Sequence, residues 1–301
     1  MERYRSINAY LRQKFGCKVY KLALDGGMTC PNRDGTLDTR GCIFCNGGSG
    51  EFAEGGNDLS FQLERAKARL AGKTDAERFI AYFQSYTNTY APIEKLKRLF
   101  YPVIERPEIA ALSIGTRPDC LPENVLALIE ELNGIKPVFV ELGLQTIHEE
   151  SAALIRRGYP LVTYDEAIKN LKDTGAETVT HIILGLPRES ADDMEETVRY
   201  VGKSGTDGVK LQLLHVLRGT DLEQMFMRGE FAALTFEEYA RILCRCIEAL
   251  PPQIVIHRLT GDAPKRLLAA PAWSADKKRV LNGLKAEFEK QNIIQGRTAM
   301  H

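Results

Sequence analysis

The sequence predicts an α/β fold on a parallel sheet that stays open and does not close into an eight-stranded barrel. Three observations predict it. Short apolar, β-branched runs recur, and from the second to the sixth their starts stand roughly 30, 29, 40 and 30 residues apart. That is the room one strand, one helix and two loops take in a βαβ crossover. The runs are continuous, not alternating, as in strands buried on both faces. Stretches with helix start and stop signals separate them. Six such units are too few for a closed eight-stranded barrel and suit an open, partial one.

In chain order, strands are expected at 19–24 (VYKLAL), 79–84 (FIAYFQ), 109–115 (IAALSIG), 138–144 (VFVELGL), 178–184 (TVTHIIL) and 208–216 (GVKLQLLHV), with a possible seventh at 254–259 (IVIHRL). A helix over 122–133 starts with a proline in its first turn and stops at Asn133-Gly134. A helix over 163–174 starts at Thr163 with Glu166 three later, a capping-box pattern, and ends at Gly175. The device repeats at 190–203, where Ser190 caps and Asp192 and Asp193 favour the positive helix start, and at 235–250, where Thr235 precedes Glu238. A basic helix is expected near 274–291. The domain reading is a core over 15–252 with a C-terminal extension, 253–301, packed on the barrel.

The chain has 301 residues, 44% hydrophobic and 27% charged, which excludes a disordered tail protein, a collagen-like chain and a coiled-coil rod. Forty basic residues balance forty acidic ones, so whole-chain charge gives no nucleic-acid signal. The distribution is uneven. Residues 1–21 carry six basic and one acidic residue, and residues 257–301 carry nine and four. Two basic ends meeting on one face would suit an anionic polymer; solvated basic surface is the plainer alternative. The apolar runs at 109–114 and 182–186 are far short of the ~20 residues a bilayer span needs. The N-terminus has no apolar stretch of signal-peptide length, so the chain reads as cytosolic, with no membrane partner.

Between the first two strands lie about 55 residues holding three cysteines, a glycine-rich stretch (NGGSGEFAEGG) and one helix near 59–72. A long loop with special residues at the carboxyl end of a strand is where parallel α/β folds place their chemistry. The segment reads CPNRDGTLDTRGCIFC. Cys42 and Cys45 can reach one metal or one cluster, and the turn-forming PNRDG can fold Cys30 back to them. In a reducing compartment such a group points to metal or catalysis before disulfides. Three thiolates are one short of a closed zinc or electron-transfer site, and an open position is what catalysis needs. A zinc site completed by Cys17, a redox dithiol at Cys42 and Cys45, and three unrelated buried thiols are the competing readings.

With an aromatic, Phe44, before the last cysteine, the loop resembles that of radical S-adenosylmethionine (SAM) enzymes. The eleven-residue first interval departs from the usual three and is similar to the Elongator-like and YtqA/YhcC-like branches. SIGTRPDCLP (113–122), VELGLQT (140–146), HIILGLPRES (181–190) and HVLRGTDL (215–222) resemble further segments of that superfamily in order, and RLTGDAPKRLLAAPAW (258–273) resembles the YtqA/YhcC-like C-terminal signature. The resemblance implies a partial (β/α)6 TIM-like barrel. It implies a [4Fe–4S] cluster on Cys30, Cys42 and Cys45, with SAM on the open iron and a reductase such as flavodoxin or ferredoxin as electron donor. Phe44, Gln145, Arg157 and His181 are carried over as SAM-side residues. Gln145 matches a Gln beside SAM, Arg157 an Arg on the SAM carboxylate, and His181 stands where relatives have an acidic ribose partner. The second strand lacks the glycine-rich segment of relatives, so Gln84, Ser85 and Asn88 are candidates to replace it or to face substrate.

Tyr86, with Tyr90, is a candidate base-stacking residue, and Arg117 and Asp119 stand at a strand end as a substrate-side ion pair. Cys120, Cys244 and Cys246 are expected to be buried hydrophobes, and Trp273 a packing anchor. The expected function is a radical SAM enzyme acting on a tRNA nucleoside. The alternatives are the same chemistry on a small metabolite or cofactor precursor, and a non-catalytic zinc or iron–sulfur protein.

Overall fold

A computed structural model describes residues 2–47, 53, 58–70 and 76–299. Most of the glycine-rich stretch, and the end of the helix expected over 59–72, lie outside the described residues. The chain opens with α1 (Ile7–Phe15), β1 (Val19–Leu24), α2 (Leu59–Leu70), β2 (Arg78–Phe83), α3 (Ile93–Ile104), β3 (Ile109–Thr116), α4 (Glu123–Ile135) and β4 (Val138–Gln145). It continues with α5 (Glu149–Leu154), α6 (Leu161–Asp173), β5 (Glu177–Leu184), α7 (Ala191–Ser204), β6 (Gly208–Leu213), β7 (Val216–Leu217), α8 (Asp221–Met227), α9 (Phe236–Ala249), β8 (Val255–Arg258), β9 (Leu268–Ala270) and α10 (Lys277–Lys290).

Seven strands form one sheet in the order β1-β2-β3-β4-β5-β6-β8, every neighbouring pair parallel. Lys21 of β1, Tyr82 of β2, Glu141 of β4, His181 of β5 and Arg258 of β8 line one cavity, so the sheet curls into an open half-barrel. The outer face buries Leu112, Val140, Ile182 and Leu211 against the helices, with Phe100, Tyr164 and Tyr239 among the filling side chains. At the amino ends of the strands, Leu11 of α1 packs with Val19, Ile80, Ala111, Phe139 and Val179. That end is plugged, which leaves the carboxyl ends for a site. Among the described residues no helix is long and apolar enough to cross a membrane.

The capping boxes at Ser190/Asp193 and Thr235/Glu238 form. The one expected at Thr163/Glu166 does not. α6 starts earlier, after Pro160, and its first amide, Leu161 N, donates to Glu149 Oε1 at 2.6 Å. A distant carboxylate therefore caps the helix in place of a local hydroxyl. α4 also overruns its expected stop to Ile135, because the Asn133 side chain is engaged in accepting from Val138 N at 3.0 Å. The run at 208–216 splits, since Val216 leaves the sheet to pair antiparallel with Ala270. α1 and α3 are helices that the patterning of the chain did not announce; α3 carries Pro102 within it.

Candidate functional site

The loop after β1 takes its shape from its own turns. Arg33 N donates to Cys30 O at 2.8 Å, Gly41 N to Asn32 O at 2.7 Å and Cys45 N to Cys42 O at 3.0 Å. Asn32, 1% exposed, anchors it: Nδ2 donates to Arg156 O at 2.7 Å and lies 3.5 Å from Cys42 Sγ. Ile43 then joins the two sides of the opening, N to Ile155 O at 3.3 Å and O from Leu222 N at 2.9 Å. Cys30, Cys42 and Cys45 are half-buried, unpaired thiols on the wall of one cavity of about 590 Å³. Burial, with Cys45 beside it, pushes the Cys42 thiol up to about 11, so a soft metal centre must displace its proton to bind.

Phe44, Gln84, Tyr86, Arg117, Gln145, Arg157 and His181 line the same cavity. Phe44 packs with Ile43, Ile155 and Ile183. Tyr86 sits in the left-handed region at φ 60° and its hydroxyl donates to Gly47 O. Arg117 holds Asp119 through two bonds, 2.9 and 2.7 Å, and lies 5.1 Å from the Tyr159 ring centre. Gln145 adopts φ 73° beyond a bulge in β4, and its Oε1 is buried without a partner. Gly143 leaves room for this side chain, since a Cβ there would come within 2.9 Å of Gln145 Nε2. Arg157, 2% exposed, spends its guanidinium on Thr146 O at 2.6 Å, Tyr159 O at 2.9 Å and Glu149 Oε1 at 3.1 Å.

Ser85 and Asn88 are placed differently. Both are buried and neither lines the cavity. Asn88 Nδ2 donates to Phe83 O at 3.1 Å and Gly115 O at 3.0 Å, tying the ends of β2 and β3 together. The Tyr90 hydroxyl lies 2.8 Å from Thr36 Oγ1 of the cysteine loop. Cys120 is buried, its thiol pushed up to about 12 by burial and the neighbouring Asp119. Trp273 donates to Leu234 O at 2.9 Å and stacks edge-on with Phe236.

Below the cysteines the cavity ends on an ionic floor that the motif reading missed. Glu141, 1% exposed, accepts from Lys21 at 2.6 Å, Ser113 at 2.7 Å and His181 Nε2 at 2.8 Å, and it also contacts Lys210. Burial alone would raise this carboxyl. Lys21, Lys210 and His181 outweigh it and hold Glu141 well below the usual carboxylate range. An ionised carboxylate only accepts, so His181 carries its hydrogen on Nε2 and turns Nδ1 out as an acceptor. Burial and the nearby Lys210 pull the His181 pKa down to about 4. Lys210 is pulled down to about 7 by burial against the pull of Glu141, and donates to Tyr82 OH at 3.0 Å. The available signal was a lone charge inside each of three otherwise apolar strands: VYKLAL, VFVELGL and GVKLQLL.

Residues 39–201 match the model of the Radical SAM superfamily, and residues 206–290 that of the Radical_SAM C-terminal domain. The chain is 42% identical to YtqA of Bacillus subtilis (strain 168) over 300 residues, 98% of this chain and 92% of that protein. About half of it, 52%, is 29% identical to the tRNA uridine(34) acetyltransferase of Methanocaldococcus infernus, spanning 30% of that protein. The fold resembles the archaeal Methanocaldococcus infernus Elp3, with a TM-score of 0.70 at 21% identity over 92% of this chain. The match covers 64% of the Elp3 chain, so this chain spans less than two thirds of it.

Proposed function

The chain belongs to the radical SAM superfamily, and on that premise we propose that Cys30, Cys42 and Cys45 hold a [4Fe–4S] cluster, with SAM beside it in the cavity. Three soft, free thiols that one loop brings to one cavity wall carry this reading. When bound, the pair supplies a 5′-deoxyadenosyl radical that abstracts hydrogen from substrate. The residues of the chain position and shield. Asn32 fixes the Cys42 side of the loop. Phe44 and Ile155 give the cluster an apolar wall. The unpartnered Gln145 Oε1 is an acceptor for the donors of SAM. Arg157 frames that corner; its partner Glu149 has a side chain 57% exposed, so the SAM carboxylate can take its place. His181 Nδ1 offers an acceptor to a ribose hydroxyl from the floor, and Arg117 and Tyr86 face the remaining space.

The substrate in this reading is a tRNA nucleoside. Two features support it. The first is the similarity to a protein named as a tRNA uridine(34) acetyltransferase. The second is the packing of the two basic ends. Gln295 N donates to Arg3 O at 3.0 Å, and Tyr4 meets Phe288 edge-on. The basic start of α10 then reaches the cavity rim, where Lys277 Nζ lies 2.6 Å from Asp262. A reductase of the flavodoxin or ferredoxin kind is the implied partner.

The test is anaerobic reconstitution with iron and sulfide, then dithionite and SAM, with chromatography for 5′-deoxyadenosine. Formation of 5′-deoxyadenosine fixes the enzyme class. Nucleosides of tRNA from a deletion strain then test the substrate, and an unchanged nucleoside profile turns the search to small metabolites. Zinc retained in place of iron after reconstitution would overturn the reading.

A further inference from the structure

We propose that Arg33 is the counter-cation of the cluster, a positive charge held among the three cysteines to raise the cluster's reduction potential. This rests on the reading of the cysteine loop above. Arg33 is half-buried on the cavity wall shared by Cys30, Cys42 and Cys45. Its Nη2 donates to Cys45 O at 2.5 Å. The backbone makes room for it. An added Cβ at Gly41, whose φ is 76°, would fall 2.7 Å from Arg33 Nε and 2.8 Å from Cζ, so the guanidinium lies flat against a bare Cα. Glycine suits both that backbone angle and that approach.

Its charge is unmatched. The other arginines that line the cavity each have a carboxylate: Arg117 has Asp119, Arg157 has Glu149 and Arg258 has Asp262. Among the described residues Arg33 has none. Beside it lie Cys45, whose carbonyl it holds, Tyr86 and Cys30. A partly buried cation without a counter-charge is costly, and three thiolates around an iron–sulfur core would provide one. One-electron reduction adds a further negative charge at the core. A cation beside it favours the reduced state, and net local charge is a main determinant of cluster potential. Arg40, in the same loop, is the contrast: its side chain is 66% exposed, its partner is Asp38 at 3.6 Å, and solvent screens it.

The experiment compares the full chain with Arg33→Gln, Arg33→Lys and Arg40→Gln, all reconstituted anaerobically. Iron and sulfide content are measured first. The potential is then read by electron paramagnetic resonance during a redox titration without substrate. Arg33→Gln is expected to titrate at a more negative potential at equal iron content. Arg33→Lys, which keeps the charge and loses the fork, should stay near wild type, and Arg40→Gln should not move. If Arg33→Gln loses the cluster while Arg33→Lys keeps both iron and potential, the charge is required and the proposal stands. Arg33→Gln at the wild-type potential, or Arg33→Lys shifted as far as Arg33→Gln, overturns it. A wild-type chain that takes up no iron removes the cluster reading itself, which the iron assay reports separately.

Discussion

His181 donates from Nε2 to Glu141 Oε2 at 2.8 Å, at the closed end of a half-barrel whose open end carries the cysteines. Glu141 is the one carboxylate on which Lys21, Lys210 and His181 converge. Replacing it by glutamine keeps the shape and removes the counter-charge shared by the buried Lys210 and the partly exposed Lys21. Breaking a buried pair in this way costs about 3–5 kcal/mol. The Glu141→Gln variant should therefore unfold at a clearly lower urea midpoint with an unchanged slope. A midpoint equal to wild type would show that the hub does not stabilise the fold.

The same floor sets a pH dependence. His181 and His215 are each pulled down to about 4, chiefly by burial, so both are neutral in the fold. The unfolded chain binds the proton at the ordinary imidazole value of about 6.5. Below that value the unfolded state takes up protons that the native state refuses. Stability present at pH 7 is thus lost as pH falls from about 6.5 to about 4. The expected observation is a melting temperature that drops across that window, with a smaller drop in His181→Asn. A flat profile there would mean that the two rings are solvated.

Local signals were legible and long-range ones were not. Continuous apolar runs marked β1 to β6 because most positions on both faces of the inner strands are buried, and Ser190 and Thr235 announced α7 and α9 because each capping box closes within four residues. Thr163 misled because the actual cap is Glu149, twelve residues from Leu161. β7 was hidden because its pairing partner lies some fifty residues on. The cysteine loop showed itself by spacing alone. The ionic floor did not, because Lys21, Glu141 and Lys210 come from three strands and become one feature only when the sheet curls. Asn88 stands two residues from Tyr86, but its amide is spent on the β2 and β3 backbone.

Cys42 lies in a loop held chiefly by bonds of Asn32, Ile43 and Arg156, and its own sulfur adds only long contacts, 3.5 Å to Asn32 Nδ2 and 3.6 Å to Arg156 O. A Cys42→Ala variant should keep its far-ultraviolet dichroism and its melting temperature before reconstitution. It should lose most of its reconstituted iron and all reductive cleavage of SAM. Iron analysis, with chromatography of 5′-deoxyadenosine, checks both. Full cleavage by this variant would sink the assignment of Cys42 as a ligand.

Lys278 and Arg279 extend the basic start of α10 beyond Lys277, whose amine holds Asp262 at the cavity rim. Both are exposed, and no carboxylate among the described residues pairs with either. An RNA backbone approaching the cavity would meet them first. Reversing both charges should leave 5′-deoxyadenosine formation without substrate unchanged, because neither residue lines the cavity. Affinity for tRNA should fall, and the slope of log affinity against log salt should shrink by about one for each lost phosphate contact. Filter binding from low to moderate salt measures both quantities. An unaltered slope with the double reversal would place the RNA elsewhere, and an affinity that never depended on salt would favour a small, neutral substrate.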